Sequence, residues 1–144
     1  MTYKDKIRAI NALMNVPPSF TSGDWFRANV SIEKLALPAI IYLPERQGKL
    51  TIRPLQAIRN PLITLAFMDK IEFADNHESI EIVTEAMHLL AYEWLQRAVT
   101  SNYFHEPVNI TYEEYVDVLD VNLAGVGYTF ELKERQGVNL CDLT

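Results

Sequence analysis

Hydrophobic residues along this chain fall into two rhythms. At the start, Tyr3, Ile7, Ile10, Leu13 and Met14 recur at helical spacing up to Val16-Pro17-Pro18, where proline ends the pattern. Thr2 followed by Asp5 offers an N-cap, so a short amphipathic helix is expected. The next stretch, "SFTSGDWFRANVSIEKLAL", begins with Ser, Thr and Gly but carries Trp25, Phe26, Val30, Ile32 and Leu35. It reads as a structured loop with a short strand at 28 to 32. From Pro38, "PAIIYLPERQGKLTIRP" has an apolar β-branched run, a polar turn with Gly48 and a second alternating run ending at Pro54. That pattern predicts a β-hairpin with Glu45, Arg46 and Lys49 at its tip.

In "NPLITLAFMDKIEF" the residues Ile63, Leu65 and Phe67 share one face of a strand, and Leu62, Thr64, Ala66 and Met68 the other. With both faces mostly apolar, this is expected to be a central strand covered on both sides. Asp75 with Glu78 then forms a capping-box pattern, and Ile80, Val83, Met87, Leu90 and Trp94 follow at steps of three and four. A main helix over about 78 to 99 is predicted. After a break at "SNYFHEPVN", the runs "YVDVLDVNL" and "VGYTFELKE" alternate on either side of a glycine pair.

Gly125-Val126-Gly127 could be a phosphate loop or a turn. A dinucleotide loop needs G-x-G-x-x-G opening a helix, whose end N–H groups meet the pyrophosphate. Phe130 stands at the third glycine position and a strand pattern follows. The expected reading is therefore the turn of a hairpin, its glycines supplying positive φ.

Composition narrows the class. A chain of 144 residues, 49% hydrophobic and 22% charged, is an ordinary globular size and is read as a single domain over residues 1 to 144. Acidic residues outnumber basic ones by 19 to 13, a formal charge of −6, which argues against a general grip on nucleic acid. Cys141 is the one cysteine, so no internal disulfide can form. No apolar run approaches the roughly 20 residues needed to cross a bilayer, and residues 1 to 15 lack a signal-peptide pattern. Folding in the cytoplasm, without membrane partners, is expected.

Candidate chemistry is sparse. Glu81, Glu85 and His88 lie at i, i+4 and i+7 on the main helix, where a carboxylate and imidazole metal site could be built. No second His or Cys cluster supplies further ligands, so they are read as a solvated face. His77 and His105 are scattered, and Ser22-Gly23-Asp24 lacks a nucleophile-elbow context. Cys141 in its short apolar tail reads as a structural thiol. No catalytic residue, cofactor or metal is assigned. A small enzyme assembled from Tyr42, Glu85 and His88, and a cytoplasmic ligand-binding or adaptor domain, stand as alternatives to a structural role.

The succession "LPAIIYLPE", "PLITLAFMDKIEFADNHESIEIVTEAMHLLAYEWL" and "LDVNLAGVGYTFELKERQGVNLC" resembles the neck or tail-completion proteins of tailed phages and prophages of Bacteroidetes bacteria, with crAss-like phages as one candidate group. The resemblance covers roughly residues 36 to 141. Its most telling piece is the ending, where an acidic strand leads into Asn-x-Ala-Gly, an alternating strand and Asn-x-Cys. Relatives often carry Trp after the Ala-Gly pair, where this chain has Val126. The resemblance implies a virion subunit of the tail-terminator or head-to-tail joining type. Such a subunit would form a homo-oligomeric ring of about six or twelve copies, contact other phage neck or tail proteins, and let duplex DNA pass without specific binding.

The expected fold is α+β, a mixed and mostly antiparallel sheet of about four to six strands. The 78 to 99 helix packs on one face, with the short N-terminal helix beside it. Trp25 and Phe26, with Glu45, Arg46 and Lys49 of the hairpin, are the expected contact residues of an assembly. Asp69, Glu72 and Asp75 are available for an acidic channel wall along which DNA would slide.

Overall fold

The structure is a computed structural model, and it describes residues 2–23, 36–71, 77–116, 123–135 and 138–139. Helix α1 spans Tyr3–Ala12 and opens on a capping box: the Thr2 hydroxyl accepts from the Asp5 N–H, and the Asp5 carboxylate accepts from the Thr2 N–H. Strands β1 (Ser19–Ser22), β2 (Ala39–Arg53) and β3 (Gln56–Lys70) precede the long helix α2 (His77–Thr100). Strands β4 (Val108–Val116), β5 (Leu123–Glu131) and β6 (Val138–Asn139) follow it.

The sheet order is β1-β2-β3-β5-β4, with β6 pairing the outer end of β3. Only β1 with β2 runs parallel, so the sheet is mixed and mostly antiparallel. The α+β expectation holds: the described residues form a sheet of six strands and two helices.

Strand β3 lies at the centre of the sheet, and its residues 63 to 68 are all buried. Its odd positions Ile63, Leu65 and Phe67 join Ile40, Tyr42, Val126, Tyr128 and Phe130 under the two helices. The helices supply Ile7, Ile10, Met87, Ala91, Trp94 and Ala98, and Met14 joins them from just past the end of α1. Its even positions Ala66 and Met68 join Ala39, Ile41, Leu43 and Leu123 on the opposite face. Burial on both faces is what the doubly apolar pattern predicts, because each face of a central strand loses water to a separate layer. Tyr3 ties α1 to the end of the sheet: its hydroxyl donates to the Leu132 carbonyl at 2.7 Å, and its ring meets Phe104 edge to face at 5.5 Å.

Several local expectations are corrected. The hairpin does not turn at Gly48: β2 continues to Arg53, and the tip is Pro54-Leu55, with Leu55 at φ 64°. Glu45, Arg46 and Gln47 instead oppose the single residue Leu62, a bulge inside the pairing. Glycine is required at 48 by close approach, since a Cβ there would sit 2.6 Å from the Asn60 carbonyl oxygen.

Gly125 and Gly127 do not make a turn; they lie within β5, paired with Met68 and Ala66. Among the described glycines only Gly23 has positive φ. A Cβ on Gly125 would fall 1.9 Å from the Phe67 carbonyl oxygen, and one on Gly127 would strike the Tyr115 ring at 2.6 Å. These glycines let strands and a ring approach, so neither the turn nor the phosphate loop describes them.

The strand before them runs from 108 to 116, earlier than its alternation suggested, and begins with a bulge in which Asn109 and Ile110 oppose Phe130. Residues 19 to 22, expected to be irregular, form β1 because they can add to the free edge of β2. The strand expected at 28 to 32 and the cap at Asp75 lie outside the described residues.

Candidate functional site

Two surfaces are left over once the core is built. The first is the edge strand β4 with the outer side of α2. Strand β4 pairs with β5 on one side and forms the end of the sheet on the other, so its outward backbone groups have no strand partner among the described residues. Its nine residues are almost all exposed, including Val108, Ile110, Tyr112 and Val116. Tyr112 pairs with Tyr128 of β5, which places Tyr112, Glu114 and Val116 on the helix side of the sheet. There they run alongside Ile82, Leu89 and Tyr92 of α2, which are also exposed.

Between the helix and the strand lies a groove of about 680 Å³. It is lined by the apolar side chains of Ile80, Ile82, Ala86, Leu89 and Val116, by the buried Thr84, and by Glu81, Glu85 and Glu114. Among the described residues that line it there is no Lys or Arg. Glu81 and Glu85 are one helical turn apart, a like-charge spacing that destabilises an isolated helix.

At one side of this groove, His88 is buried between Tyr128 and Glu114. The Tyr128 hydroxyl and His88 Nδ1 are 2.5 Å apart, and His88 Nε2 is 3.3 Å from Glu114 Oε1. Burial first, and then the neighbouring Tyr92 hydroxyl, push the Tyr128 phenol well above its ordinary value. Tyr128 therefore stays protonated, and its hydroxyl and the Glu114 carboxylate flank the two ring nitrogens of His88. Tyr112 meets the imidazole edge to face at 5.1 Å, with Tyr128 at 5.7 Å and Tyr92 at 6.1 Å. A histidine between a hydroxyl and a carboxylate has the outline of a proton relay, but the hydroxyl is a high-pKa phenol closed into the core. The cluster acts as a polar clamp that pins α2 to β4 and β5.

The second surface is the outer half of the β2–β3 hairpin. Strand β5 pairs with β3 only from Leu62 to Lys70, so residues 48 to 58 extend past it as an arm that β6 touches at Gln56 and Ala57. The arm exposes Leu50, Ile52 and Leu55. Leu50 is paired across the strands with Arg59, and Ile52 with Ala57, so these side chains share one face. At the arm's base a groove of about 480 Å³ is lined by Tyr3, Tyr42, Leu50, Arg59 and Pro61, among others. Burial raises the Tyr42 phenol, and Arg59 opposes that shift.

The residues expected at a site are not gathered into one. Glu45 turns back on the sheet, accepting from the Thr64 hydroxyl at 2.7 Å, and Lys49 pairs with Glu131 at 3.1 Å. Arg46 lies in the bulge, and Trp25 and Phe26 are outside the described residues. Glu81 and Glu85 are solvated, as expected, whereas His88 belongs to the core and not to their face. Tyr42 lines the arm's groove while Glu85 lines the helix groove, so the Tyr42, Glu85 and His88 combination shares no pocket. Asp69 is half-buried and accepts from the Lys70 N–H; Glu72 and Asp75 lie outside the described residues, as does Cys141. The pairing of His88 with Tyr128, 40 positions apart, had no sequence signal, since it depends on α2 lying across β5.

Among the described residues no group of three or more His, Cys, Asp or Glu could hold a metal ion, and no helix is long and apolar enough to cross a membrane. No protein-family model matches the chain, and no curated protein does.

Proposed function

We propose that this chain is a ring-forming structural subunit of a tailed phage virion, of the neck or tail-completion type that joins head and tail around the DNA channel. The observation that supports assembly is β4, a nine-residue edge strand whose apolar side chains are left uncovered. Long open edges with exposed apolar residues invite aggregation in a monomer, and proteins normally blunt or cover them. A neighbouring subunit covers this one. The phage setting rests on the resemblance of residues 36 to 141, and the DNA conduit on the same resemblance together with the acidic balance of the chain.

Negative-stain microscopy and native mass spectrometry of the purified protein at micromolar concentration test the reading. Closed rings of one size are the expected result. A protein that stays monomeric throughout that range overturns it. The conduit role adds that duplex DNA binds no more tightly than the nonspecific regime of about 10⁻⁴ M at physiological salt. An anisotropy titration giving micromolar affinity would move the protein to a DNA-gripping class.

A further inference from the structure

The two leftover surfaces are complementary to each other and cannot meet within one molecule's own hairpin and helix as folded. The arm presents Leu50 and Ile52 beside a cation, Arg59, which makes no ion pair with a described residue. The groove between α2 and β4 offers the reverse: apolar side chains and three carboxylates, with no cation among the described residues that line it. Glu81 and Glu85 form no ion pair with a described residue either, and their spacing on the helix sets like charges side by side.

We propose that the β2–β3 arm of one copy docks in the α2–β4 groove of the next, with Leu50 and Ile52 against the exposed Ile82, Leu89 and Val116 and with Arg59 facing the Glu81, Glu85 and Glu114 carboxylates. The inference rests on the ring reading and gives it a mechanism. Both halves of the contact are on the same chain but on different surfaces, so the contact is head-to-tail. Each subunit offers one arm and one groove, and such a contact closes into a ring when the rotation per copy divides a full turn. Opposite charge at the rim selects the register and steers encounter, while the apolar seat excludes water. Covering the groove also covers the helix side of β4.

The test uses the full chain and two variants at exposed positions, Ile52→Asp in the arm and Leu89→Asp in the groove. Each should keep the wild-type circular dichroism spectrum, and its melting temperature should fall only by what the lost assembly contributed. Alone, each should be monomeric in native mass spectrometry, because one half of every contact is spoiled. Mixed in equal amounts, the two should form a one-to-one heterodimer and nothing larger, since one intact arm then meets one intact groove and the remaining junction carries an aspartate on both sides. A second measurement reverses charge: Arg59→Glu should weaken assembly at least about tenfold, as one like-charge juxtaposition does, and adding Glu85→Lys to the same chain should restore it. Wild-type rings that persist in either single variant, or a mixture that stays monomeric, overturn the docking while leaving the ring. A monomeric wild type overturns both.

Discussion

Strands β4 and β5 lie side by side, have nine residues each and both carry apolar and aromatic residues, yet nearly every residue of β5 is buried and nearly every residue of β4 is exposed. The difference comes from position. Strand β5 has a hydrogen-bonded neighbour on each side and α2 across its face, with Trp94 and Phe130 in ring contact at 6.1 Å. Among the described strands, β4 has a neighbour on one side only. Burial is thus a property of the layer order, and an apolar strand placed at the rim becomes a surface that another chain can cover.

The comparison can be broken from the buried side first. Phe130→Ala removes a fully buried ring of β5 and should cost about 3 to 5 kcal/mol in denaturant unfolding, the range for truncating a core aromatic. Gly125→Ala forces a methyl group onto the Phe67 carbonyl, 1.9 Å from its oxygen, and parts β5 from β3. A loss of about 3 kcal/mol is expected, the upper end of ordinary overpacking; if the pair of glycines were a turn, the change would be far smaller.

Tyr128→Phe leaves His88 Nδ1 buried without its hydrogen-bond partner and should cost about 1 to 2 kcal/mol. It also carries a pH signature. The folded-state phenol is raised, so its contribution is whole below the ordinary tyrosine value of about 10 and is lost as pH rises past that value, where the unfolded chain releases its proton first. The wild type should therefore lose more stability than the Phe variant in melts above that pH. On the exposed side, Ile110→Thr in β4 should shift unfolding by less than about 0.5 kcal/mol, since the residue is nearly half exposed in the single chain and threonine suits a strand.

How much could be read beforehand follows the same division. The face assignment of residues 62 to 68, the two helices and the Thr2–Asp5 cap were legible because each rests on spacing within a few residues. The glycines misled for a physical reason. Glycine serves a positive φ and a close approach equally well, and only the partner strand tells which: Phe67 and Tyr115 crowd Gly125 and Gly127, and Asn60 and Pro61 crowd Gly48. Pro54-Leu55 was overlooked as the hairpin tip because leucine at φ 64° is not a turn residue by preference; the pairing of β2 with β3 on its inner side holds it there.

The sequence by itself determined an α+β chain with a doubly buried central strand and one long amphipathic helix, since periodicity and composition are local quantities. Tertiary structure alone decided which strand became the edge and that His88 meets Tyr128 and Glu114. It also decided that the arm and the acidic groove stand apart as opposite surfaces. Those are long-range pairings, and the residues that make them stand tens of positions apart, so no window of sequence contains both halves of the contact.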